Sequence, residues 1–283
     1  MWATHHQLWY ILTCVCLVKG LALPSIGNAK PREDAIPSIR AASDEVAAKS
    51  TSIAGGIPLR VMPLGASITF GLKSTDGNGY RKVLRDDLTA AGNLVNMVGS
   101  HPNGTMLDND SEGWPSFIID EVHAKASANV PQYKPNMILI NAGTNDCTRN
   151  IDIPNAGGRM SNMLDDLYRL SPGTTIVLST LLVNGDKAAE PRIEQYNSQL
   201  RSLVTTRQSQ GQRIVLAEMQ SSVGPTTAEL VDGTHPTDAG YVKMANIWFA
   251  AVKDAAAKGF LAPPQPVAGI PDDGVAQGEM IQA

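Results

Sequence analysis

Residues 60–71, "RVMPLGASITFG", form a short apolar run that ends in glycine and passes into a turn led by Ser67. The stretch reads as a buried strand that delivers Ser67 to a loop. Taken alone it leaves two readings of that serine, a reactive nucleophile or ordinary turn chemistry. The rest of the chain supplies the context. With the strand placed at 58–64, further β-rich runs follow at 94–98, 137–142, 175–182 and 213–219. Helical windows separate them. In the first, Asn78 stands as a possible cap before Tyr80, Val83, Leu84 and Leu88, and Gly92 occupies the place of a left-handed terminal residue. Met160, Met163, Leu164 and Leu167 repeat the spacing, as do Ile193, Tyr196, Leu200, Leu203 and Val204, and a last window spans 237–258. These stripes are core faces. Strands alternating with helices imply one parallel sheet covered on both sides. In such sheets ligands sit beyond the carboxyl ends of the strands, so the loops after residues 65, 99, 143, 182 and 219 are where function is expected.

The 283 residues, 43% hydrophobic and 18% charged, suffice for one sizeable core. A formal charge of −4 offers no broad basic surface, which argues against nucleic acid or an anionic membrane as partner. Small or neutral substrates fit better. The apolar run at 8–18, followed by Gly20 and Ala22, reads as a secretory signal over 1–22 and is too short for a permanent membrane span. A secreted, extracellular protein without stable membrane insertion is therefore expected. Cleavage would remove Cys14 and Cys16 and leave Cys147 alone, without an internal disulfide partner. Two glycosylation sequons, at Asn103 and Asn109, agree with that route. Residues 23–56 and 261–283, rich in Ala, Ser, Pro and Gly, are expected as flexible flanks around a domain at 57–260.

A serine hydroxyl attacks a carbonyl well only when a base takes its proton. Beyond the leader the histidines are His101, His123 and His235. His101 lies beside a sequon and His123 among charged helical residues, where solvated surface roles are expected. His235 differs, because Asp232 precedes it by three residues in the Gly-containing turn "DGTHP". That carboxylate can fold back onto Nδ1 and leave Nε2 for Ser67. The developing oxyanion needs donors, which the backbone amides of Ser67 and Gly113 and the side-chain amide of Asn145 can supply. Cys147, directly after "TND", reads as a small residue in the site's wall. The second glycine of a G-x-S-x-G elbow is missing, and the chain has neither a phosphate loop nor an H-E-x-x-H zinc helix.

Four blocks, "PLGASIT", "EGWPS", "INAGTND" and "DGTHPTDAGY", together resemble the SGNH, or GDSL-like, hydrolase family across 58–260. Within it, "MPLGASIT", "DGNGYRKVLRDDLTAAG" and "VDGTHPTDAGYVKMA" look most like the carbohydrate-esterase group that includes acetyl xylan esterases. The resemblance implies Ser67 as nucleophile, His235 as base, Asp232 as orienting acid, and Gly113 and Asn145 joining Ser67 in the oxyanion hole. It further implies a flavodoxin-like α/β/α sandwich on a five-stranded parallel sheet, no metal or organic cofactor, and an acylated carbohydrate or other small ester as substrate. A lipolytic relative and a catalytically silent carbohydrate-binding relative are the other expectations. The family's usual aspartate before the serine is Ala66 here, and "SEGWPS" departs from the common histidine-containing glycine block.

Overall fold

Strand β1 (Leu59–Gly65) lies inside a sheet whose every pairing is parallel. The computed structural model describes residues 52–275. The expected leader, including Cys14 and Cys16, lies outside the described residues. β2 (Val95–Met97), β4 (Met137–Asn141), β5 (Thr175–Ser179) and β6 (Ile214–Ala217) complete the order β2-β1-β4-β5-β6. Every residue of β1, β4 and β5 is buried, as strands covered on both faces require.

The expected count of five strands needs one correction. A two-residue β3 (Glu112–Gly113) also pairs with β1, matching Leu64 to Glu112 and Gly65 to Gly113. β2 stops opposite Val61 and leaves the carboxyl half of that edge of β1 for β3 to occupy. Counted as one position, β2 and β3 give the flavodoxin-like order, with the switch point between β1 and β4.

Alternate strand residues face opposite layers. Met62, Leu64, Ile138, Ile140, Ile176 and Leu178 pack under α3 (Ile119–Tyr133), α5 (Ala156–Leu170) and α6 (Glu190–Ser209), while Leu59, Val61, Met137, Leu139, Val177 and Val215 pack under α2 (Tyr80–Ala90) and α7 (Asp238–Ala257). Two short helices, α1 (Ser67–Phe70) and α4 (Thr144–Arg149), sit at the carboxyl ends of β1 and β4. Three layers follow, α/β/α. Among the described residues no helix is long and apolar enough to cross a membrane.

Asn78 does not cap α2. Its carboxamide instead donates to Asp76 and Thr105 and accepts the Met106 amide, joining two loops near α1. Gly92, with φ of 88°, takes the left-handed place expected of it.

The flanks are packed further than their composition suggests. Ile53 is buried in the core and its carbonyl accepts a bond from Asn93, so folded structure begins before residue 57. Residues 261–275 run along the amino ends of the strands. There Ala262, Gln265 and Pro271 offer carbonyls to Asn136, Arg60 and Asn96 at 2.7, 2.8 and 2.6 Å, and Asp273 pairs with Arg85 at 2.7 Å. The reason is demand: three buried polar side chains at that end of the sheet need acceptors.

Candidate active site

Ser67 opens α1 directly after β1. Gly65 makes that turn possible, because a Cβ there would lie 2.1 Å from the Asn141 carbonyl and 2.4 Å from Thr69 Oγ1. The end of α1 is closed by amides of Gly71 and Leu72 that donate to the Ser67 carbonyl at 3.1 and 3.0 Å. Buried Arg81 adds a brace from α2, its guanidinium donating to the carbonyls of Phe70, Gly77, Asn103 and Asn109.

His235 reaches the serine from the loop before α7. Its carbonyl accepts the Val231 amide at 2.8 Å, and the Thr237 hydroxyl caps the helix by accepting from Gly240. Nε2 lies 2.8 Å from Ser67 Oγ, across 168 residues of sequence. Nδ1 faces both oxygens of Asp232 at 2.9 and 3.1 Å, and Asp232 Oδ1 also accepts the amides of Thr234 and His235. A carboxylate only accepts, so neutral His235 carries its proton on Nδ1 and turns a lone pair toward the hydroxyl. Burial works to raise the Asp232 carboxyl, but the backbone and ring hydrogen bonds from His235 and the Thr234 amide outweigh it and hold the group below its ordinary range. Its negative charge is thus kept where the imidazole needs it.

The remaining sequence-predicted residues flank this chain of bonds. Gly113 presses against α1, where a Cβ would come 2.4 Å from the Phe70 nitrogen, so no side chain is tolerated there. Its N–H leans on Ser111 Oγ at a long 3.3 Å. Asn145, in the first turn of α4, gives one carboxamide hydrogen to the Phe117 carbonyl at 2.9 Å and retains a second. Ala66 is buried and provides no cap to α1.

Two side chains escaped sequence reasoning. Asp146, fully buried, accepts the Ile119 amide at 3.0 Å and Arg159 at 2.6 Å, tying α4 to the start of α3. Only its position after Asn145 hinted at it. His101 is half-buried and partnered, not merely solvated: its ring stacks between Phe70 and Trp114 at 4.9 and 4.0 Å, and Nδ1 lies 2.7 Å from the Gly113 carbonyl. His123 stands apart, bonded to Asp166 at 2.8 Å between α3 and α5. Cys147 is core, its thiol pushed up to about 12 by burial, which leaves it an inert space-filler.

Both sequons serve the fold. Asn103 Nδ2 donates to Phe70 and Gly77 carbonyls at 2.8 and 2.9 Å, using both of its hydrogens, and Asn109 Nδ2 donates to Gly104 at 2.9 Å. A glycan on Asn103 would cost one of the bonds that hold α1. Among the described residues no group of three or more His, Cys, Asp or Glu side chains is arranged to hold a metal ion.

Asp110 lies in the segment that leads to Gly113, and burial, reinforced by the charge of Asp108, pushes its carboxyl up to about 6. The folded state therefore holds that proton more tightly than the unfolded chain, and the group's contribution to stability worsens as pH rises from about 4 through 6. Asp110→Asn is expected to raise stability at pH 7.5 by about 1–2 kcal/mol and to make no difference near pH 4. Urea midpoints of both proteins at the two pH values check this.

A family model described as GDSL-like Lipase/Acylhydrolase family matches residues 64–243, from the end of β1 into α7. A multidomain esterase of Ruminococcus flavefaciens is 28% identical over 233 residues, a match covering 71% of this chain and 29% of that protein's length. The chain therefore spans under a third of that relative. Among solved structures, a family 3 carbohydrate esterase from Clostridium thermocellum superposes with a TM-score of 0.63 at 24% identity, covering 71% of this chain and 98% of that one. A family 3 carbohydrate esterase from Talaromyces cellulolyticus gives 0.60 at 22%, covering 71% and 99%. At these identities the structures share the fold.

Proposed function

Because the chain belongs to the GDSL-like lipase/acylhydrolase family, we propose that it is a secreted serine esterase that removes small acyl groups, acetyl above all, from carbohydrate. One observation carries the chemistry: the unbroken line from Asp232 through His235 to Ser67, with contacts of 2.9 and 2.8 Å. Ser67 Oγ attacks the ester carbonyl as His235 Nε2 takes its proton. Asp232 holds the ring and stabilises the imidazolium. The tetrahedral oxyanion takes hydrogen bonds from the Ser67 and Gly113 amides and the second hydrogen of Asn145, each worth about 2.7–4 kcal/mol in comparable sites. Collapse expels the sugar hydroxyl with the proton from His235 and leaves an acyl-serine. Water, deprotonated by His235, then releases the acid and restores Ser67.

The carbohydrate part of the reading is supported by the esterase and carbohydrate-esterase relatives and by a site placed on open loops at the switch point of the sheet. Secretion rests on the apolar run at 8–18. Ala66 favours a second reading, a carbohydrate-binding relative that has lost catalysis. Acetylated xylan and a series of p-nitrophenyl esters decide among these. Release of acetate, with kcat/KM highest for acetyl and falling at least about tenfold by the octanoyl ester, is expected. Preference for long chains would make the protein lipolytic, and no turnover on any ester would make it a binding protein.

A further inference from the structure

The segment that delivers Gly113 has little regular structure of its own, since β3 is only two residues long. Its position depends on contacts with neighbouring segments, and besides the pairing to β1 one residue makes several of them through both its backbone and its ring. His101 donates its backbone N–H to the Ser111 carbonyl and accepts the Ser111 hydroxyl on its own carbonyl, both at 2.9 Å, and it forms a parallel bridge to Glu112. Its ring Nδ1 meets the Gly113 carbonyl at 2.7 Å. A carbonyl oxygen only accepts, so the neutral ring carries its hydrogen on Nδ1. Phe70 lies on one face of that ring and Trp114 on the other, at interplanar angles of 29° and 13°. The two rings belong to different parts of the site: Phe70 to the helix of Ser67, Trp114 to the residue after Gly113. Trp114 is itself fixed, by Nε1 donating to Glu112 Oε2 at 2.8 Å and by Lys125 Nζ 3.8 Å over its ring.

We propose that His101 is a positioning residue of the ester-hydrolysing site, holding Gly113 at a set distance from Ser67 through an Nδ1–H bond to the Gly113 carbonyl and through its place between Phe70 and Trp114. The inference rests on the serine-esterase reading and on Gly113 as an oxyanion donor. Gly113 and α1 touch backbone to backbone, so a small shift of β3 changes where the glycine N–H points relative to Ser67 Oγ. Ground-state binding needs no such alignment, whereas the oxyanion does. The same geometry makes Ser111 a resting partner. Its hydroxyl hydrogen is committed to His101, so only a lone pair meets the Gly113 N–H, and that 3.3 Å bond is weak enough to exchange for an oxyanion.

Two substitutions separate the parts of His101. His101→Phe keeps an aromatic ring in the stack and removes the donor; His101→Asn keeps a donor near the Nδ1 position and removes the ring. With p-nitrophenyl acetate, His101→Phe is expected to lower kcat about 10- to 100-fold with KM within about twofold, and His101→Asn to recover a severalfold part of that kcat despite the lost stacking. Wild-type kcat in His101→Phe, or a parallel loss in both variants with KM rising, would overturn the role. If His101→Phe does not fold, nitrogen NMR of the wild-type imidazole decides: the Nδ1–H tautomer is expected, and the Nε2–H tautomer overturns the proposal. Wild-type protein that neither turns over the ester nor reacts with a fluorophosphonate probe would instead remove the esterase reading. Active wild type matched by His101→Phe removes only this inference.

Discussion

Ser67→Ala is expected to lower kcat toward p-nitrophenyl acetate by on the order of 10⁴- to 10⁶-fold, while the melting temperature moves by no more than about 2 °C. On the proposed mechanism, the rate loss follows from removing the oxygen that attacks the ester. What remains is binding and the oxyanion donors, whose residual assistance over water is about 10³- to 10⁴-fold. Stability is spared because the Ser67 hydroxyl bonds His235 and does not cap α1, whose cap position is Ala66. Alanine at 67 leaves the helix, its terminal bonds from Gly71 and Leu72, and the Arg81 brace in place. Steady-state kinetics beside a thermal melt check both halves. An unchanged rate would place the chemistry elsewhere.

Asp232→Asn is expected to cost about 10³- to 10⁴-fold in kcat at neutral pH, with KM little changed. An asparagine oxygen can still accept the Thr234 and His235 amides, so the turn survives. Its nitrogen, however, then meets Nδ1 with hydrogens. The ring answers by placing its own proton on Nε2, the tautomer that cannot accept from Ser67. Because the wild-type carboxyl is held below its ordinary range, it stays ionised throughout normal assay conditions, and the defect of the variant should persist from pH 6 to pH 9. Recovery of the rate within that range would show that Asp232 contributes only local structure.

Much of this was legible in the sequence, for identifiable reasons. Strands buried on both faces are continuous apolar runs, so five of them stood out between helical windows. Ser67, His235 and Asp232 were recognisable because the serine directly follows a strand and the other two share one short block before the last helix, although 168 residues separate the serine from the histidine. β3 was not legible: Glu-Gly carries no strand signature, and the pair exists because β2 stops short along β1. Nor was the packing of 261–275, whose prolines and small residues read as a loose flank. Its order depends on Arg60, Asn96 and Asn136 pointing carbonyl-seeking groups at it from buried positions. His101 was hidden for the same kind of reason, since its meaning lies in the glycine it touches and the rings on either side of it.

The central claim is that Ser67 becomes covalently acylated. Mass spectrometry of the active protein after reaction with a fluorophosphonate probe tests it most directly. A single phosphonylated peptide containing Ser67 is expected, with activity lost in step with labelling. Full inhibition with the Ser67 peptide unmodified, or the label on another residue, would contradict it.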